Sequence, residues 1–142
     1  MNWIFPRFIG GLGAVALLLV RVLVGVAFIL HGLPKFNAPF GWLGENSAIP
    51  GLLQFMAVIT EVGGGALLIL GALTPLVALS LAGVMAVATL FHMSNGDPFI
   101  APGKPSYELA LVYLTINLLF LFIGPGKLSL DYVTFGRRRL AE

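Results

Sequence analysis

Polar positions in this chain fall in clusters that separate four long apolar runs. The first run, about Gly11 to Gly32, contains one formal charge, Arg21, and stops before Pro34. The second, about Gly51 to Leu73, contains Glu61. The third begins at Pro75, a residue suited to a first helical turn, and ends near Met93. The fourth, about Ser106 to Ile123, ends at the helix-breaking Gly124-Pro125-Gly126. A hydrocarbon core is roughly 30 Å thick and takes about 20 residues of helix to cross. The pattern therefore predicts an all-α, four-transmembrane-helix bundle forming a single domain over residues 1–142, with a short tail from Lys127 onward. The few residues around Ala72-Leu73-Thr74 make helices 2 and 3 antiparallel neighbours.

Composition sharpens this picture. Of the 142 residues, 58% are hydrophobic and 10% charged, and the mean hydropathy is +1.00. Soluble domains carry about 25% charged residues, so the bilayer is the main partner of this surface. No basic patch of nucleic-acid type exists outside the tail. There is no cysteine, so any thiolate or persulfide chemistry belongs to a partner. Residues 1–32 are read as a retained helix, because Arg21 interrupts the apolar run and no small-x-small cleavage site follows.

The charge distribution orients the bundle. The side that carries both termini has Arg7, Lys127, Arg137, Arg138 and Arg139, against Lys35 and Lys104 on the side of the two long loops. Basic residues are retained in the cytoplasm. Both termini are thus expected inside a cell inner membrane, with the loops carrying Phe36, Phe40 and Trp42 outside. The tail after helix 4, which mixes Leu128, Leu130, Tyr132 and Phe135 with three arginines, reads either as a segment lying on anionic lipid or as a topology-fixing stop.

Ionisable residues inside the bilayer are costly and need partners. Arg21 lies near the middle of helix 1 and Glu61 in helix 2, about ten and twelve residues from the inner ends of their helices, so that their depths differ by a few ångströms. They are expected to form a buried ion pair. Gly25, Gly32 and Gly63-Gly64-Gly65 let those helices approach closely, and Ala78, Ala82 and Ala86 form a small-residue ridge on helix 3. A second polar group gathers at the loop end: His31 and Lys35, His92, and Glu108 beside Tyr107, with Glu61 deeper on the same path. These residues are candidates for ligand binding or proton relay, and the alternative is that they only face interfacial water. Haem ligation by His31 and His92, and a metal held by His31, His92 and Glu108, are weaker options, since no ligand pair has tight helical spacing; no metal site is expected. Tyr113, Thr115 and Asn117 are expected to hydrogen-bond between helices. The apolar–His pairs Leu30-His31 and Phe91-His92 hint at two repeated hairpins.

The ordered set Arg21-x3-Gly25-x2-Phe28-x2-His31-Gly32-x2-Lys35-Phe36, Glu61-x2-Gly64-Gly65-x2-Leu68-x2-Gly71 and Gly124-Pro125-Gly126-x-Leu128-Ser129-Leu130-Asp131 resembles the DoxX family of small four-helix membrane proteins. The resemblance implies an association with redox chemistry, since family members are linked to thiosulfate–quinone oxidoreduction and oxidative-stress complexes. On that basis the chain is read as an accessory subunit of a membrane redox system, at most one subunit of an oxidoreductase. No covalent cofactor is expected. Quinone would occupy a slot capped by His31, His92 and Glu108, with a soluble or membrane redox partner. The competing reading is a non-catalytic protein that binds a lipid or small amphiphile, or anchors a soluble partner.

Overall fold

The structure, a computed structural model, describes residues 8–45 and 47–136. Four helices run in order: α1 over Gly11–Gly32, α2 over Gly51–Leu70, α3 over Thr74–Ser94 and α4 over Glu108–Ile123. A 3-10 helix, Leu33–Asn37, prolongs α1, and a π-helical turn, Tyr132–Gly136, follows α4. Among the described residues there is no strand. The fold is the expected four-helix membrane bundle. Three of the helices, α1 with its extension, α2 and α3, are long and apolar enough to cross a membrane; α4 is a shorter apolar helix. Arg137 to Arg139, on which the expected inner-leaflet contact depends, and Arg7, which was counted for the orientation, lie outside the described residues.

Two hairpins make the bundle. α1 packs along α2 and α3 along α4, while α2 and α3 meet over a smaller surface. Glycine sets the first pairing: a Cβ on Gly25 would come 2.6 Å from the Gly65 carbonyl, and one on Gly65 would come 2.7 Å from that of Gly25. Only two bare backbones can cross so closely. The expected glycine seam is therefore present at Gly25, Gly32 and Gly65. Gly64 instead faces Leu81 of α3, and Gly63 faces open space. Between the hairpins the core consists of Val24, Phe28, Leu68, Val77, Ala78, Leu81, Met85 and Phe120.

α2 stops at Leu70, earlier than the apolar run suggests, because Gly71 turns left-handed at φ 65°. Gly71 N–H donates to Leu68 O and Ala72 N–H to Leu67 O, the paired bonds of a Schellman stop. Leu73 is the single non-glycine residue with positive φ among those described. Its N–H and that of Thr74 both donate to the Asp131 carboxylate, at 2.7 and 2.8 Å. A side chain from beyond α4 thus caps α3 and holds the tight turn in place. α4 begins at Glu108 rather than Ser106 because Tyr107 and Glu108 donate their N–H groups back to Pro98 and Phe99.

Arg21 and Glu61 do not pair. The fully buried Arg21 donates from Nη1 to Pro125 O at 3.0 Å and from Nη2 to Leu128 O at 2.5 Å. Asp131 supplies the neighbouring negative charge. The helices do not start level: α1 begins about ten residues before the end of the bundle, so Arg21 lies beside Gly71. A Cβ on Gly71 would strike its guanidinium. Ten residues of helix, about 15 Å, separate that level from Glu61. Thr115 and Asn117 also depart from expectation, bonding to carbonyls of their own helix, Val112 O and Tyr113 O.

Candidate functional site

At the loop end the four helices enclose a cavity of about 660 Å³, within the range of small-molecule sites. His31, Lys35, Glu61 and His92, four of the five residues singled out in the sequence, line it. The fifth, Glu108, is exposed at the start of α4 and is absent from the lining. The expected cap of His31, His92 and Glu108 is corrected accordingly: Ser106, Leu109, Ala110 and Tyr113 present the cavity-facing side of this segment, and Glu108 falls on the exposed face. Among the described residues no three His, Asp or Glu side chains converge to hold a metal ion.

The deepest polar feature is an ion pair. Lys35 Nζ lies 2.7 Å from Glu61 Oε1 and 2.6 Å from Oε2, and the Glu61 side chain is 3% exposed. The 3-10 extension of α1 aims Lys35 at α2. Gly32 makes the approach possible, since a Cβ there would lie 2.6 Å from Val62 Cγ2 and 3.1 Å from Glu61 Cβ. The Trp42 ring covers the ammonium with its centroid 4.2 Å away, a cation–π contact. The loop carrying Trp42 is fastened by the buried Gln54. Its Oε1 accepts from Leu43 N–H, its Nε2 donates to Ile49 O, and its own carbonyl accepts from Trp42 Nε1. The segment after α1 thus forms a fixed roof.

Both histidines use Nδ1 for an internal bond. His31 Nδ1 lies 2.9 Å from Ala27 O and His92 Nδ1 2.7 Å from Asp97 Oδ2. A carbonyl can only accept, so Nδ1 of His31 carries the proton, and the carboxylate of Asp97 accepts from His92 in the same way. Nε2 of each ring is left for a ligand or water. The remaining walls are apolar and aromatic, with Phe28, Phe91 and Tyr113 beside Trp42. Tyr113 packs against Phe28 and His31 at centroid distances of 5.1 and 6.3 Å. One flank opens sideways between α2 and α3, where Leu53, Met56, Leu79 and Val87 line the cavity and are each more than half exposed. These positions lie well inside membrane helices, so the opening faces lipid.

The DoxX family model matches residues 16–94, over half of the chain and all but the first five residues of the α1–α3 unit that carries the ion pair and both histidines. The chain belongs to the DoxX family. Its relatives include an uncharacterized protein of Haemophilus influenzae, 37% identical, covering 79% of this chain and 85% of the relative. "Inner membrane protein YqjF" of Escherichia coli is 34% identical over 82% of this chain and 90% of its own. "Putative oxidoreductase CatD" of Bacillus subtilis is 31% identical over 83% and 86%. No solved structure matches.

Several site residues of this DoxX protein escaped the sequence reading. Gln54 was not singled out: it stands in the apolar run of helix 2, and its role as the roof fastener depends on a loop fold that no periodicity encodes. Trp42 was legible as an interfacial ring and not as the cover of Lys35. Asp97 lies just past the end of α3, where a turn brings it back to His92; a His-x4-Asp spacing was the available signal. Asp131 belonged to the quoted motif, yet its partner lies 58 residues away.

Proposed function

We propose that this DoxX protein is a quinone-binding accessory subunit of a redox system in the cell inner membrane, with both termini in the cytoplasm. One observation carries the reading: an apolar, aromatic cavity whose polar end is charge-compensated. Lys35 is neutralised by Glu61, and His92 faces Asp97. Such a site suits a neutral, hydrogen-bonding head on a flat ring. It suits a phospholipid phosphate poorly, because no unpaired lysine or arginine lines the cavity. With Nδ1 carrying the proton, Nε2 of His31 and His92 accepts from a quinol hydroxyl when the ring is neutral and donates to a quinone carbonyl when the ring is an imidazolium. The aromatic walls match a planar ring. CatD's name supports the redox association and the names of the Escherichia coli relatives support the inner membrane. Electrons come from a partner in this reading.

Titration of a short-chain quinone into purified protein, read by quenching of Trp42, tests the reading. Replacing His92 by Phe keeps the bulk and removes the hydrogen-bonding nitrogen. Affinity should fall about tenfold, equivalent to about 1.4 kcal/mol and of the order of one hydrogen bond. Equal affinity in both proteins, or no binding by either, would sink the proposal.

A further inference from the structure

A second apolar hollow, about 190 Å³, lies between α2 and α3 on the side of their connecting turn. Thr60, Gly64 and Leu67 of α2 and Leu76, Val77 and Ser80 of α3 line it. Thr60 and Ser80 also line the larger cavity, so the two are one continuous furrow. Its origin is the weak α2–α3 contact: the helices are tied together at Gly71–Leu73, and Gly64 rests on Leu81, but toward the loop end they part. Leu76 is 62% exposed and the Ser80 hydroxyl is spent on its own helix, donating to Leu76 O at 3.0 Å. The furrow therefore offers lipid-side apolar surface and no strong polar demand.

Depth decides what such a furrow can hold. Leu76 precedes His92 by sixteen residues of continuous helix, about 24 Å along the axis. That is most of a hydrocarbon core of roughly 30 Å. A ligand whose head lies by His31 and His92 would send a long apolar tail down the furrow, parallel to the surrounding lipid chains. We infer that the α2–α3 furrow binds the prenyl tail of a membrane quinone, and that the quinone reaches its head site sideways from the bilayer between these two helices. The inference rests on the quinone reading of the head cavity and adds the tail site and the route. The continuity through Thr60 and Ser80 ties the occupant of the furrow to that of the cavity.

Two variants separate tail from head. Ser80→Phe obstructs the junction, and Leu76→Phe narrows the lower furrow alone. Both positions are exposed, so the fold tolerates the added bulk. A ring-only quinone and the same ring with a long prenyl chain are titrated into detergent-solubilised protein, with concentrations referred to the detergent phase. The wild type should bind the prenylated compound at least tenfold more tightly. Leu76→Phe and Ser80→Phe should shrink that advantage to under threefold, with Leu76→Phe leaving ring-only affinity unchanged. Equal binding of both compounds by the wild type overturns the tail site and leaves the head site standing, as does an undiminished advantage in both variants. A saturated acyl amphiphile that displaces the prenylated compound as well as the compound displaces itself overturns the choice of tail. Failure of both quinones to bind removes the head-site reading itself, and the furrow's assignment with it.

Discussion

Lys35 reaches both carboxylate oxygens of Glu61 across a gap that exists only because residue 32 has no side chain. Three positions on two helices therefore act as one unit. Removing one charge leaves the other stranded in a low-dielectric site, which costs more than the pair contributes. Lys35→Met should lower stability by about 3 kcal/mol, read by thermal unfolding in detergent. Lys35→Met combined with Glu61→Leu should recover most of the loss. A double variant as unstable as the single one would show that the damage lies in packing rather than in the stranded carboxylate.

The Gly25–Gly65 crossing predicts a sharp contrast between neighbouring glycines. Gly65→Ala drives a methyl into a backbone carbonyl that cannot yield, and should cost about 2–3 kcal/mol. Gly63→Ala meets nothing within 4 Å and should stabilise α2 by roughly 0.8–1.0 kcal/mol through helix propensity. Unfolding midpoints of the two variants moving in the same direction would contradict the seam.

Asp131 serves two N–H groups at the start of α3 and stands near Arg21. Asp131→Ala should destabilise by about 2 kcal/mol and loosen the α2–α3 turn. Faster proteolysis of the variant between residues 71 and 74 would report the loosening; wild-type cleavage kinetics and an unchanged unfolding midpoint would argue against the capping role.

The proposed orientation puts Asn95, exposed after α3, outside the cytoplasm. The natural chain has no cysteine, so Asn95→Cys creates a unique label site. A membrane-impermeant maleimide should react with it in cells whose inner membrane is intact. Labelling only after that membrane is breached would invert the topology.

Helix identity was legible because apolar runs and their Gly and Pro breaks are local properties, and the ends of α1 follow directly from them. The gathering of His31, Lys35 and His92 was legible as well, since helix-end positions in an up-and-down bundle share a depth, and Glu61 was placed deeper on the same path. The pairing of charges was not. Matching Arg21 with Glu61 assumed helices that start level, and α1 overhangs by about ten residues; nothing in its own pattern reveals this. The true partners of Arg21 are backbone carbonyls of Pro125 and Leu128, which every sequence possesses and no residue type advertises. Glu108 was placed at the right end of the bundle but lies on the exposed face of α4, beside the residues that line the cavity.

The Arg21 contacts also set a timetable. The first charge to enter the bilayer during synthesis is satisfied by carbonyls that lie 104 and 107 residues further along. At roughly 5–20 residues per second, helix 1 waits on the order of 5–20 s with its guanidinium unsettled. In that interval it is held by translocon, snorkelling or water rather than by its own protein. A chain cut short within the last helix lacks both carbonyls, and its Arg21 guanidinium is left without these two acceptors.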